Sequence, residues 1–126
     1  MGGPTRYAAR ASTRGIRSRL QRVAASLTNR DQLICLDLHE HGVLTTQHLF
    51  ELHFSSIQRA RSRLSRLHEL EVLWRNRPRT HLGSLPWHYT LDHLGAQIVA
   101  ETLGIEPKAV GYREDRKRTL VDSPRL

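Results

Sequence analysis

A chain of 126 residues with 20 basic and 12 acidic side chains carries a formal net charge of +8. The length gives one small domain. The single cysteine excludes a disulfide framework and fits a reduced, cytoplasmic setting, and no apolar run approaches the roughly 20 residues needed to span a bilayer. The charge is local. Seven arginines (Arg6, Arg10, Arg14, Arg17, Arg19, Arg22, Arg30) precede the first acid, Asp31, and seven more lie between Arg59 and Arg79, opposed by Glu69 and Glu71. Clusters of this kind concentrate polyanions at a surface.

Residues 1–26 read as a basic N-terminal arm. The first 13, rich in Gly, Pro, Ala, Thr and Arg, predict no stable structure. Ile16, Leu20, Val23 and Leu27 then fall at helical spacing, so 14–27 is an amphipathic helix that either docks on the core or forms on DNA.

A domain over 27–104 follows. Thr28 is the cap of a helix whose first turn holds Asp31, a pattern that satisfies free amides from both sides. This helix runs through Leu33, Ile34, Leu36 and Leu38 and stops at Gly42. Cys35, inside the run Leu33-Ile34-Cys35-Leu36, reads as a buried thiol. Val43 and Leu44 enter the core. Thr45 or Thr46 caps a short helix, Gln47 to Leu52, with Leu49, Phe50 and Leu52 as buried candidates, and Ser56 caps the next helix after the turn His53-Phe54-Ser55.

The helix opened by Ser56 is the clearest periodic segment. Ile57, Ala60, Leu64 and Leu67 form one apolar stripe. The opposite face carries Gln58, Arg59, Ser62, Ser65 and Arg66, with Arg61 and Arg63 on its flanks and no acid before Glu69. Such a face holds donors for phosphates and base edges. From Val72 the period changes. Val72-Leu73-Trp74 and His88-Tyr89-Thr90-Leu91 are β-favouring and flank a turn-rich segment with Gly83, Ser84 and Pro86. They predict a two-stranded wing with Arg75, Arg77, Arg79 and Thr80 near its tip and Trp74 and Trp87 anchoring it. Asp92 caps a last helix, Asp92 to Leu103, with Leu94, Ile98 and Leu103 on its apolar side and Gly104 at its end. The tail, 105–126, holds few large apolar residues. Its Asp122-Ser123-Pro124 is a helix-opening signal that reads as a truncated continuation.

The fold class is therefore mainly α with a small β-hairpin, a winged helix-turn-helix. Eight histidines do not make a metal site: His39 and His41 point to different sides of one helix, His48 and His53 belong to another element, and zinc needs three or four converging ligands. No glycine-rich phosphate loop follows a strand. No catalytic residues, metal or cofactor are expected.

Leu27-Thr28-x-Arg30-Asp31, His41-Gly42-Val43-Leu44-Thr45-Thr46, Leu52-x-Phe54, Arg61-x-Arg63-Leu64-x-x-Leu67 and, most specifically, Gly83-Ser84-x-Pro86-x-His88-Tyr89-x-Leu91-Asp92-x-x-Gly95-Ala96 together resemble the replication-relaxation family of bacterial plasmids and integrative elements. The resemblance covers about residues 27–125. It implies an N-terminal winged helix and a role for DNA binding in plasmid or mobile-element replication or its control.

On this reading the partner is double-stranded DNA, bound non-covalently, with no membrane involvement. Ser55, Ser56, Gln58, Arg59 and Ser62 would lie nearest the bases and Arg63 and Arg66 nearer phosphates, with Arg61 a further DNA-binding residue on the flank of the same face. Arg75, Arg77, Arg79 and Thr80 would meet the neighbouring backbone or minor groove. Three alternatives stand beside it. One is a dimeric transcriptional regulator paired through 14–27 or 92–103, and another is an adaptor for a replication or relaxase partner. The third is a remnant of a longer protein.

Overall fold

A computed structural model of the chain describes residues 18–81 and 83–110, with Arg79, Thr80 and Ser84 described by backbone alone. The expectations for residues 1–17, for the 111–126 part of the tail and for its Ser123-Pro124 signal lie outside the described residues.

Residues 18–26 form a helix, α1. Val23 enters the core, and Leu20 and Leu27 pack against it. Of the two expected behaviours of this segment, docking is the one seen. α2 spans Asn29–His41 and opens with the expected reciprocal cap: the Thr28 hydroxyl accepts from the Asp31 amide, and the Asp31 carboxylate accepts from the Thr28 amide at 2.8 Å. Gly42 closes it at φ 84°, where a side chain would be strained.

A two-residue strand, β1 (Leu44–Thr45), leads into α3 (Thr46–His53). Thr45 is the cap, and His48 rather than an acid completes the box, its Nδ1 accepting from the Thr45 amide at 3.2 Å. Leu49 is fully buried, but Leu52 is 58% exposed, which corrects its assignment to the core. α3 is only eight residues long. The position on its inner side at that end is His53, whose Nε2 meets Asp37 of α2 at 2.5 Å, so Leu52 turns outward.

α4 (Ile57–Glu69) is capped by Ser56 and buries Ala60, Leu64 and Leu67. It ends in a tight reversal, with the amides of Glu71 and Val72 donating back to the carbonyls of His68 and Leu67 at 3.0 Å each. Glu71 holds the left-handed position at φ 63° without being glycine. The carbonyls of Glu71 and Val72 then accept from the amides of Leu94 and Asp92.

The wing is larger than the expected two-stranded ribbon. β2 (Leu73–Asn76) pairs antiparallel with β5 (His88–Leu91), Leu73 opposite Leu91 and Asn76 opposite His88. β1 pairs with the other edge of β5, Leu44 opposite Tyr89, giving a three-stranded sheet in the order β1-β5-β2. Beyond it a separate ribbon joins β3 (Arg79–Thr80) to β4 (Gly83–Ser84). The third strand was not legible because two residues carry no alternation pattern. As the middle strand, β5 is buried at all four positions, so His88, Tyr89, Thr90 and Leu91 show no polar–apolar alternation. The Thr90 hydroxyl is satisfied by the Gly42 carbonyl at 2.8 Å, and His88 Nδ1 lies 2.8 Å from the Pro86 carbonyl.

α5 (His93–Leu103) is capped by Asp92 and ends at Gly104 in the left-handed conformation. It buries Leu94, Gly95, Ala96, Ile98, Val99 and Ala100, while Leu103, expected on its apolar side, is 46% exposed at the helix end. A Cβ on Gly95 would sit 2.1 Å from the Val72 carbonyl oxygen. Only glycine lets α5 approach the α4–β2 turn this closely. A short 3-10 helix, Pro107–Val110, packs back on α5, with Val110 against the core. No helix among the described residues is long and apolar enough to cross a membrane.

Candidate nucleic-acid interface

The outer face of α4 exists because its inner stripe is spent on the core. With Ala60, Leu64 and Leu67 at 0% exposure, the helix rotation is fixed, and Gln58, Arg59, Arg61, Ser62 and Arg66 are exposed. At about 100° per residue, Gln58 and Ser62 lie at the crest. Arg61 and Ser65 fall on the flank toward the wing, and Arg59, Arg63 and Arg66 on the flank toward α2. The wing-side placement is seen directly in Ser65, whose hydroxyl accepts from Arg75 Nη1 of β2 at 3.0 Å. Ser55 is exposed, whereas the Ser56 hydroxyl is engaged as the cap, accepting from the Arg59 amide at 3.1 Å.

The expected site residues divide by how they are held. Arg63 is fixed. Its Nε donates to Asp31 Oδ1 at 3.0 Å and its Nη2 to Asp31 Oδ2, a two-pronged pair across to the start of α2. The Asp31 carboxylate is 1% exposed and the Arg63 side chain 30%. Burial alone would raise the Asp31 carboxyl, but the hydrogen bonds from Arg63 and Thr28 outweigh it and hold the group below its usual value. The same pairing with Asp31 raises the Arg63 guanidinium. Arg66 makes a loose 3.2 Å contact with Glu69, both side chains more than half exposed, a pairing of little strength in water. Among the described residues, no carboxylate lies within ion-pair distance of Arg59 or Arg61.

At the wing, Arg75 and Arg77 both stack on the Trp87 ring, their guanidinium carbons 4.3 and 4.4 Å from its centre. The Trp87 carbonyl accepts from the Thr46 amide at 3.1 Å, and its side chain packs against the core. Trp74 lies edge-on to His68 with ring centres 6.1 Å apart. Both tryptophans thus tie the wing to the body as expected, and Trp87 also sets the direction of two arginines. Arg79 and Thr80 form β3.

Three features were missed in the sequence. Arg30 extends over the Phe54 ring at 4.9 Å. Asp31 not only caps α2 but anchors Arg63. The Trp87 stack joins residues 10 and 12 apart. An acid within the basic N-terminal region, at the third position of a helix, was the one available signal for the second. Residues on different elements give no sequence signal for the others. Cys35 is fully buried, and burial with the nearby Asp31 charge pushes its thiol up to about 12. Among the described residues no three His, Cys, Asp or Glu side chains gather as metal ligands.

Two solved structures share the fold at low identity. The YusO protein from Bacillus subtilis superposes with a TM-score of 0.53 at 14% identity, over 94% of this chain and 91% of that one. A MepR-like protein complexed with pseudoligands gives 0.53 at 15% identity, over 94% and 87%. No curated protein matches. The three helices α2, α3 and α4 followed by the β2–β5 hairpin make the fold a winged helix-turn-helix. The replication-relaxation family profile matches residues 36–126, from the middle of α2 through the wing and beyond α5, and the chain belongs to that family.

Proposed function

We propose that this chain binds duplex DNA non-covalently, with α4 in the major groove and the wing on the adjacent backbone. The observation that carries the reading is the outer face of α4. Five neighbouring exposed polar side chains, three of them arginine, face outward with no acid among them, beside a wing whose Arg75 and Arg77 are held in place by Trp87. A solvated helix face that serves no polyanion usually mixes signs. The crest residues Gln58 and Ser62 are the base readers, with Ser55 at the helix start. Arg61, Arg66, Arg75, Arg77, Arg79 and Thr80 serve phosphates or the minor groove. Arg63 contributes through a guanidinium already oriented by Asp31, and Ser56 by holding the helix start. The chemistry is recognition without catalysis. Family membership supports a place in cytoplasmic replication of a bacterial plasmid or mobile element, or in its control.

Fluorescence anisotropy of a labelled random duplex tests the reading. Neutralising about five phosphates gives a slope of log K against log salt near −4.5, with micromolar or tighter binding at low salt. Flat salt dependence would exclude DNA binding through this surface.

A further inference from the structure

Between the start of α2 and the α2-side flank of α4 lies an open cleft of about 870 Å³, walled by Asn29, Arg30, Arg59, Ser62, Arg63 and Arg66, with Phe54 and Thr28 also lining it. Residues 59, 62, 63 and 66 are one stripe of α4 at three- and four-residue spacing, about 10 Å long at 1.5 Å per residue. Four arginines and one carboxylate, Asp31, line the space. The described lining therefore carries a net charge of +3, with Arg66 also in a loose, exposed contact with Glu69 outside the cleft.

We infer that this cleft is a phosphate site, built to take a run of two or three phosphate groups along the α4 stripe. The inference rests on the DNA-binding reading for one of its two sources of phosphate, but the site itself stands on its own residues. Its arginines come from two elements and meet across a concave space. Two of them are pre-ordered: Arg63 by its double bond to Asp31 and Arg30 by the Phe54 ring. A pre-ordered guanidinium loses less freedom on binding and presents a flat fork that matches phosphate oxygens. Asn29 adds an amide donor, and Ser62 borders the cleft from the crest of α4. This arrangement moves Arg59 away from the bases, where its place at the start of α4 had put it, and onto the phosphate wall opposite Arg30. The same phosphate chemistry is supplied by a DNA strand or by a free oligophosphate such as that of a nucleotide.

Titration of the full chain with inorganic tripolyphosphate, followed by NMR at the arginine Nε–Hε signals, tests the site. Saturable shifts are expected at Arg30, Arg59, Arg63 and Arg66 while Arg77 stays in place. Arg30→Ala and Arg59→Ala are expected to weaken binding about tenfold each, and Arg30→Lys less. Arg30 is exposed, and an unchanged melting temperature verifies that its variants fold. No saturable shift, or equal shifts at every arginine including Arg22 and Arg77, overturns the site. A competing duplex distinguishes the sources. Displacement of tripolyphosphate, with Arg30→Ala lowering the salt slope by about 1 on all duplexes, identifies the DNA strand as occupant. Simultaneous binding identifies a free phosphorylated molecule. A chain that takes tripolyphosphate but no duplex keeps the cleft and loses the DNA reading. One that takes duplex with Arg30→Ala unaffected, and no tripolyphosphate, does the reverse.

Discussion

α4 and α5 are of similar length and sit on the same short turn, yet they do opposite work. α5 buries six of its eleven residues and presents small side chains, Gly95, Ala96 and Ala100, to its neighbours. α4 buries three of thirteen, and its exposed positions are mostly arginine and serine. A helix surrounded by protein is selected for fit, and its tolerance is measured in ångströms. A helix with one covered stripe is free to vary everywhere else, so an outer face of Gln, Ser and Arg with no acid before Glu69 is a property that the fold does not require. Changes in α5 should therefore unfold the protein, and changes on the crest and flanks of α4 should alter binding at constant stability.

The largest effect is expected at Gly95. Gly95→Ala gains about 1 kcal/mol of helix propensity but drives a methyl into the Val72 carbonyl at 2.1 Å. Backbone cannot yield as a flexible side chain does, so a net loss of about 3 kcal/mol or more is expected in thermal or urea unfolding. A variant as stable as the parent would break the contrast between the helices. Next comes Asp31→Asn, expected to cost about 2–3 kcal/mol. That is below the range for a fully buried pair, because the Arg63 side chain is 30% exposed. The pH dependence has a definite sign. The folded Asp31 carboxyl lies below its ordinary value of 3.8, so its stabilisation is complete above that pH and is lost as pH falls through the lower folded value. The difference in stability between parent and Asp31→Asn, measured from pH 6 downward, should narrow only below about pH 4.

Smaller effects sharpen the other side of the comparison. Arg61→Ala should leave unfolding within ~0.5 kcal/mol while weakening all duplexes about fivefold and reducing the salt slope by about 1. A stability loss without a binding loss would place Arg61 in the fold rather than at the interface. The smallest change is expected at the turn joining α4 to β2. Glu71→Gly relieves a left-handed backbone worth about 1 kcal/mol and removes contacts to Arg19 and His93 between side chains roughly 40% exposed, which are worth little in water. A shift between zero and about 1 kcal/mol toward stability is expected. A loss larger than about 1 kcal/mol would show that these contacts hold α1 and the start of α5 to the turn.

The helices were legible because each carries its own punctuation. Thr28, Ser56 and Asp92 cap where they were expected to, and Gly42 and Gly104 stop the chain in backbone conformations suited to glycine. The apolar stripe of α4 fixed its rotation before any tertiary contact was known. What stayed hidden was pairing. β1 is two residues long and becomes a strand only because β5 lies beside it. Leu52 looked like core, but His53 occupies the inward position through Asp37. At the interface the arginines could be counted but not sorted. Nothing along the chain distinguishes Arg63, held by Asp31, from Arg61, which meets no acid among the described residues.

Cys35 gives the protein a built-in clock. It is the only thiol, it is 0% exposed, and it sits up at about 12, so a thiol reagent cannot reach a reactive thiolate in the closed molecule. Labelling must wait for the helices around α2 to part. Its rate then counts the excursions of the core, one chemical event per opening population. Any partner that binds only the closed form slows that clock by the factor 1 + [L]/Kd. A ligand at 100 times its Kd would therefore hold labelling back about a hundredfold without touching the cysteine.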